Sequence, residues 1–320
     1  MQPEITFVVP AYNVAEYLPD CLESLLAVPV AKEIILIDDG STDNTGEVAQ
    51  HFFRLHDCIT LIRQHNQGVS AARNRGIALA RGRFVQFVDA DDILRNQAHY
   101  PDWIEFATQQ KIDIVKTLIQ WVKHNGEHLT TQSPYHQFNG EGYVSHGHDY
   151  WHQMLLGNWF PSAVNGFYRT QLLQQHDGLR FPEGLSHSED ALFFADVMCS
   201  QPDIRVLEIK QVGYVYRHRV NSASHSLDSN MRGCVSTCEI VKLLWQRMEW
   251  AKQRAMQPEN QAHWQRMHKH LISTIAVQVM VLYDRYYVYL NETQKASVRH
   301  YFTPELLALI QPFSKIDIIL

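Results

Sequence analysis

The chain has 320 residues, 45% of them hydrophobic and 19% charged, with a formal net charge of −6. This is the composition of an ordinary folded protein, long enough for one full-sized domain plus an extension or for two small domains. The negative balance excludes a global electrostatic case for nucleic-acid binding, so an anionic ligand would need a local positive site or a metal.

Ile5-Thr6-Phe7-Val8-Val9 is a short, β-rich apolar run that stops at Pro10, which predicts a buried strand entering a loop. Ala15 to Leu26 carries Leu18, Leu22, Leu25 and Leu26 at helical spacing. Glu33 to Ile37 is a second buried strand, ending at Asp38-Asp39-Gly40. Ser41-Thr42-Asp43 then supplies helix-start residues for a helix over Thr45 to Leu55. Ile59 to Arg63 is a third strand, Ser70 to Ala80 a helix closed by Gly82, and Phe84 to Val88 a fourth strand ending at Asp89. This alternation is that of a parallel α/β sheet, and its polar clusters follow the carboxyl ends of the strands, where such sheets bind ligands. The first ninety-odd residues therefore suggest a doubly wound nucleotide-binding half.

The middle of the chain is less regular. Asp113 to Val122 predicts another strand, Thr131 to Gly147 a loop or hairpin, and Trp151 to Phe167 a binding surface or an edge strand. Glu189 to Met198 reads as a helix and Val212 to Arg217 as a late strand. From Asp228 the pattern turns helical, with one stripe at Val241, Leu244, Trp245 and Met248 and another at Ile272, Ile275, Val279 and Leu282.

Cys21, Cys58, Cys199, Cys234 and Cys238 form no CxxC pair, and their odd count and wide spacing fit reduced thiols in a cytoplasmic protein. Cys234 and Cys238 share a helix face, as two partly buried thiols rather than a metal site. Met1-Gln2-Pro3-Glu4 leads straight into a strand, so no signal peptide is expected. Gln278, Asp284 and Arg285 interrupt the apolar stretch from Leu271 to Leu290, which argues against a membrane span. The eighteen histidines are scattered, and composition offers no physical account of them.

Four clusters carry candidate chemistry. Val9-Pro10-Ala11-Tyr12-Asn13 ends a strand with an aromatic and an amide, although a plain Pro-Asn turn would look the same. Asp38-Asp39-Gly40-Ser41-Thr42-Asp43 places adjacent carboxylates at a strand end, where they repel unless paired or used. A helix cap with one solvated Asp is the plain alternative; a carboxylate accepting from a base N–H or a ribose hydroxyl is the functional one. In His65 to Gly76, Gly68 permits close backbone approach, Ala71 and Ala72 permit tight packing, and Arg73 and Arg75 bring positive charge. A helix with surface arginines explains the alanines but not the polar entry before them. Asp89-Ala90-Asp91-Asp92 sets three acids at a buried strand end, where a hard divalent cation would be a suitable counter-charge. An acidic helix N-terminus would account for Asp92 more easily than for Asp89.

Together, with the strands before them, these clusters resemble the family 2 glycosyltransferases with the GT-A fold. The resemblance covers residues 5 to 94, recurs at Ser188-Glu189-Asp190 and Tyr214 to Arg219, and fades after residue 226. It implies a Rossmann-like, mostly parallel central sheet flanked by helices. Residues 1–226 would form the transferase domain, with 1–94 the nucleotide-binding half and 95–226 the acceptor-side half; 227–320 would be a helical extension. By the same resemblance Pro10, Tyr12, Asn13, Asp38 and Asp39 line the nucleotide pocket, with Asp39 on the base. Gly68 and Arg73 sit beside the nucleotide. Asp89-Ala90-Asp91 matches the family's DxD motif, Asp89 reaching ribose or metal and Asp91 holding Mn²⁺ or Mg²⁺ on the diphosphate. Asp190 is the expected base, with Glu189 as second choice, although Ser188 with two acids also reads as an ordinary helix start. Arg217, His218 or Arg219 would neutralise the diphosphate, or else form a solvated basic loop.

The activity so implied is inverting transfer of a sugar from a nucleotide-sugar, UDP first, to a glycan or lipid-linked glycan hydroxyl, in lipopolysaccharide, capsule or exopolysaccharide synthesis. Trp151, Trp159, Phe160, Tyr168 and His187 could stack on an acceptor sugar or equally be core. A non-catalytic sugar-nucleotide-binding protein is a competing class, opposed by the presence of both DxD carboxylates and of Glu189-Asp190. A sugar nucleotidyltransferase would usually open with a Gly-rich basic loop, and Pro10 to Asn13 has neither glycine nor lysine. The C-terminal helices suit a plain bundle, a homodimer surface, or a peripheral membrane contact, since Trp245, Trp250 and Trp264 lie among Lys242, Arg247, Lys252, Arg254, Arg266 and Lys269.

Overall fold

The computed structural model describes residues 2–123, 127–132, 142–156, 162–175, 179–185, 187–218, 227–282, 287–299 and 303–304. The chain divides into two compact units by more than one crossing. The first comprises 1–147, 162–184 and 203–219; the second comprises 148–161, 185–202 and 220–320.

The first unit opens with β1 (Ile5–Ala11), α1 (Leu18–Leu26), β2 (Lys32–Asp38), α2 (Thr45–Leu55), β3 (Ile59–Arg63), α3 (Val69–Leu79) and β4 (Phe84–Phe87). Ile5, Phe7, Val8 and Val9 have no exposed surface, so β1 is covered on both faces and reads as a continuous apolar run rather than an alternating one. Strands β3, β2, β1 and β4 lie side by side in that order, all parallel. The chain steps outward from β1 to β2 to β3, then returns to the other side of β1 for β4. The carboxyl ends of β1 and β4 therefore flank a topological switch point, the usual ligand crevice of such sheets. Helix α3 packs closely on β1 because residue 76 is glycine; a Cβ there would stand 2.2 Å from Val8 Cγ1.

Beyond β4 the sheet becomes mixed. There follow β5 (Ile93–Leu94), α4 (Tyr100–Gln109), β6 (Ile114–Lys123), β7 (His128–Gln132) and β8 (Gly142–His146). After them come α5 (Gly147–Leu156), β9 (Gly166–Arg169), α6 (Thr170–Gln174), α7 (Glu189–Cys199) and β10 (Arg205–His218). The sheet continues from β4 through β9, β6 and β10 to β5, with β7 on β6 and β8 on β10. Strand β9 is antiparallel to both neighbours, while β10 runs parallel to β6 and antiparallel to β5 and β8. The expected late strand at Val212 to Arg217 is thus the end of a longer one.

The described parts of the segment from Trp151 to Phe167, 151–156 and 162–167, differ from the sequence expectation of a binding surface or an edge strand. Trp151 and Met154 are buried one helical turn apart on α5, and β9 is interior, between β4 and β6. Gly166 makes this placement possible, since a Cβ would lie 1.8 Å from the Val115 carbonyl oxygen. Tyr168 is core as well, its hydroxyl accepting from buried Lys116 Nζ at 2.9 Å. Trp159 and Phe160 lie outside the described residues. No helix start follows Asp91-Asp92 either; the next element is β5.

The second unit is helical: α5, α7, α8 (Leu227–Arg254), α9 (Gln261–Val281) and α10 (Glu292–Val298). Trp151 has no exposed surface; its indole N–H donates to Thr274 Oγ1 at 3.0 Å, and Phe194 meets its ring edge-on at 5.7 Å. Arg247 grips Asp196 with two bonds, Nε to Oδ1 at 2.6 Å and Nη2 to Oδ2 at 3.2 Å, tying α8 to α7. Cys234 and Cys238 are buried with Leu282, Tyr287, Leu290 and Val298, as two thiols inside an apolar cluster. Among the described residues no helix is long and apolar enough to cross a membrane.

Candidate functional site

The site is assembled where β1, β2 and β4 end. Pro10-Ala11 closes β1 and leaves Tyr12 45% exposed, so its ring is free to meet a ligand. Asn13 follows at φ 53°, a left-handed conformation that Asn tolerates well. Its Oδ1 accepts from Thr42 N at 2.8 Å, while its own N–H donates to Ser41 Oγ at 3.1 Å. Asn13 therefore clasps the loop after β1 to the loop after β2.

Asp38 and Asp39 have different duties. Asp38 is only 1% exposed; its Oδ1 accepts from Ser41 N at 2.9 Å, and its Oδ2 lies 3.1 Å from Arg63 Nε. Its two oxygens are thus used within the loop, where it shapes the turn. Gly40 completes that turn at φ 77°, where a Cβ would come within 2.9 Å of Asn66 N. Asp39 receives Gln67 N at 2.9 Å and Gln64 Nε2 at 2.8 Å on Oδ1, and Gly68 N at 2.8 Å on Oδ2. A carboxylate has about four acceptor sites, so these bonds leave one, on Oδ2, for an incoming donor. Gly68 caps α3 at φ 89° with nothing within 4 Å of where its Cβ would be.

The third strand end, after β4, concentrates negative charge. Asp89 and Asp91 are half-buried and Asp92 has no exposed surface, while Ala90 is buried between them. Arg73, 3% exposed on α3, reaches Asp89 Oδ1 with Nη2 at 2.9 Å, and its guanidinium lies 5.1 Å from the centre of the Phe181 ring. On the other side, Asp92 Oδ2 accepts from the Tyr214 hydroxyl at 2.6 Å, and the same hydroxyl accepts from Asp89 N at 3.2 Å. Burial, reinforced by Asp91 and Asp89, pushes the Asp92 carboxyl well above the usual range, and burial likewise raises the Tyr214 phenol. Arg217 N donates to Asp92 Oδ1 at 2.8 Å. The Arg217 guanidinium bonds the Asp91 carbonyl, Asp20 Oδ2 at 2.7 Å and the Tyr17 carbonyl at 3.0 Å. The end of β10 is thereby pinned to the acidic loop.

These placements sort the expected residues. Tyr12, Asp39, Gly68, Arg73, Asp89, Ala90 and Asp91 come together around the ends of β1, β2 and β4. Arg217, expected to reach a diphosphate, spends its guanidinium on the acidic loop and on α1. His218 is half-buried at the end of β10, and Arg219 lies outside the described residues. Glu189 and Asp190 open α7 in the second unit, both half-buried, after Ser188 in a left-handed conformation at φ 63°. Asp89 and Asp91 suit a hard divalent cation by donor type, because both are partly accessible carboxylates. Asp92 does not suit it, being enclosed and bonded on both oxygens.

Three supporting residues escaped sequence reasoning. Tyr214 belonged to a motif already singled out, but nothing in its spacing says that its hydroxyl reaches a loop 122 positions earlier. Asn74 holds a remote segment: its Nδ2 donates to the Phe181 carbonyl at 2.9 Å and to Glu183 Oε1 at 2.8 Å, and its Oδ1 accepts from Phe181 N at 2.7 Å. Phe181 in turn is the ring beside Arg73. The one available signal for Asn74 was a polar residue on the alanine-rich face of α3.

Comparison with known proteins adds to this geometry. A family model described as Glycosyl transferase family 2 matches residues 6–176. The chain is 34% identical over 191 residues to an uncharacterized glycosyltransferase, YibD, of Escherichia coli strain K12, covering 58% of this chain and 54% of that protein. It is 30% identical over 230 residues to an uncharacterized glycosyltransferase, EpsJ, of Bacillus subtilis strain 168, covering 69% and 63%. The matches thus span about half to two thirds of those relatives. Among solved structures, residues 1–349 of S. aureus TarS in complex with UDP-GlcNAc align with a TM-score of 0.62 at 20% identity, covering 97% of this chain and 90% of that one. That likeness is one of fold, the GT-A fold.

Proposed function

The chain belongs to glycosyl transferase family 2, and from that membership we propose that it moves a sugar from a nucleotide-sugar, UDP-linked first, to a glycan or glycolipid hydroxyl with inversion. The observation that carries this reading is the construction around Asp89. Its carboxylate is held by buried Arg73 and its backbone N–H by Tyr214, at the switch point of the sheet. Such rigid support suits a group that must meet a diphosphate in one orientation. A fold relative that binds UDP-GlcNAc supports the choice of UDP.

In this reading Tyr12 packs on the nucleoside, Asp39 takes a base N–H on its remaining acceptor site, and Gly68 leaves room beside it. Asp89 and Asp91 would hold Mn²⁺ or Mg²⁺, which supplies positive charge to the leaving diphosphate. Asp190 is assigned as base by its place in the family pattern. It takes the acceptor hydroxyl proton as that oxygen bonds to the anomeric carbon. The bond from that carbon to the diphosphate oxygen breaks, the nucleoside diphosphate leaves with the electron pair, and an α-linked sugar becomes β-linked. In functional terms residues 1–226 are the transferase domain and 227–320 an accessory helical region, with surface glycan synthesis at the cytoplasmic side of a membrane as the setting.

The test is release of UDP from a panel of UDP-sugars with Mn²⁺, alone and with glycan acceptors. The reading expects turnover by the wild type, loss of at least about a hundredfold in Asp190→Asn with UDP binding retained, and a loss of at least about tenfold in Arg73→Lys, because a lysine cannot reproduce the guanidinium contact. Binding of UDP with no turnover of any UDP-sugar would point instead to a sugar-nucleotide-binding protein.

A further inference from the structure

The second unit contains a cleft of about 540 Å³ that the proposed transfer reaction does not use. It lies between two of its helices. Helix α5 contributes His148, Asp149 and His152, and α9 contributes Arg266, Lys269 and His270. The α9 residues fall three and four apart, on one face. Ser273, one turn further on, adds a hydroxyl to the same wall.

The fixed charges lining this cleft are two cations, Arg266 and Lys269, and one carboxylate, Asp149. Among the described residues neither Arg266 nor Lys269 is paired with a carboxylate. The one acid, Asp149, lies 3.4 Å from His148 Nε2 through its Oδ1. The His152 and His270 rings stand 5.8 Å apart, and buried Trp151 backs His270 at 5.4 Å. Burial, His152, His148 and Arg266 together hold the His270 imidazole down to about 4. A guanidinium, an ammonium and three imidazoles thus converge on one concavity in a chain whose net charge is −6. An oxyanion offsets the two fixed cations, Arg266 and Lys269, and accepts from several directions at once, which the fork of an arginine favours. A metal ion is the poorer occupant. Two fixed cations oppose it, and among the described residues no three His, Cys, Asp or Glu side chains are placed to hold one.

We propose that this cleft is a binding site for a phosphate group, carried as a phosphodiester or phosphomonoester by a ligand or free as inorganic phosphate. The site is independent of the donor-site reading and stands or falls without it.

The experiment uses the full chain and follows the histidine ring protons by NMR. Inorganic phosphate and glycerophosphocholine, a soluble phosphodiester, are titrated in parallel, each at constant ionic strength against chloride. A saturable shift of the His152 and His270 signals is expected with at least one of them. So is an upward move of the His270 titration midpoint in the complex. The double variant Arg266→Gln/Lys269→Gln changes two exposed side chains. It should keep its fold and bind phosphate at least about tenfold more weakly, which is what the loss of even one charge-assisted bond costs. Tighter binding of the phosphodiester assigns the site to a ligand-borne phosphate, and tighter binding of the free ion assigns it to inorganic phosphate. The proposal is overturned if chloride reproduces the shifts, if the double variant binds as the wild type does, or if Zn²⁺ saturates the same histidines while phosphate does not. UDP binding, read by calorimetry on the same samples, is expected to be equal in wild type and double variant. Failure of the cleft and failure of the donor site are therefore separate results.

Discussion

The Tyr214 hydroxyl stands between two acids of one loop, donating to Asp92 Oδ2 at 2.6 Å and accepting from the Asp89 backbone N–H at 3.2 Å. A single phenol on β10 thus fixes both ends of the acidic loop that follows β4. Removing it leaves the enclosed Asp92 short of a donor and Asp89 N short of an acceptor. Tyr214→Phe should lower stability by about 1–3 kcal/mol, the cost of orphaning buried polar groups. It should also weaken nucleotide binding, because the loop loses its fixed geometry. Urea unfolding and a UDP titration of the variant check the two effects separately.

Asn74 offers a second test. It makes three bonds to the 181–183 segment and so keeps Phe181 against Arg73. In Asn74→Asp the acceptor for Phe181 N survives, but both donors are lost and the new carboxylate faces Glu183. A destabilisation of about 1–3 kcal/mol is expected. Asn74→Ala at a similar cost would show that the carboxylate adds little repulsion of its own. Thermal unfolding of both variants separates these outcomes.

Much of the first unit was legible in the sequence, because its strands and helices follow their apolar periods without interruption. The helix Thr45 to Leu55 and the strand Ile59 to Arg63 have the bounds that the pattern predicts. The acidic strand ends were legible for the same reason, each being a sharp change from apolar run to polar cluster. The partners of those acids were not. Arg73 and Tyr214 meet them, and Phe181 meets Arg73, only through packing, and pairings over such distances leave no periodic trace. Trp151 and the strand at Gly166 misled because glycine and aromatics suggest a surface. In fact Gly166 serves close strand approach, and Trp151 fills the core of a helical unit. Asp38 and Asp39 are adjacent in sequence and look alike there. Their side chains nevertheless go to different partners, Asp38 to Arg63 and Asp39 to the loop before α3.

The His270 imidazole gives a pH prediction. Its midpoint is held at about 4, against an ordinary value of 6.5, by burial and by neighbouring positive groups. As pH falls the unfolded chain takes up this proton first, so the folded state loses stability from pH 6.5 down toward 4 and keeps the full contribution above 6.5. His270→Gln should flatten that part of the profile relative to wild type, measured as denaturation midpoints between pH 8 and 4. Parallel profiles for the two proteins would mean that His270 does not titrate as its surroundings require.

The account rests most heavily on the donor site at the ends of β1, β2 and β4. Calorimetric titration of UDP into the full chain, with and without Mn²⁺, in wild type and in Asp91→Ala, tests it most directly. The account predicts binding that the metal strengthens by at least about tenfold and that Asp91→Ala largely abolishes, as expected when a carboxylate holds the cation on a diphosphate. Absence of UDP binding to the folded wild type, repeated with GDP, CDP and TDP, would contradict it.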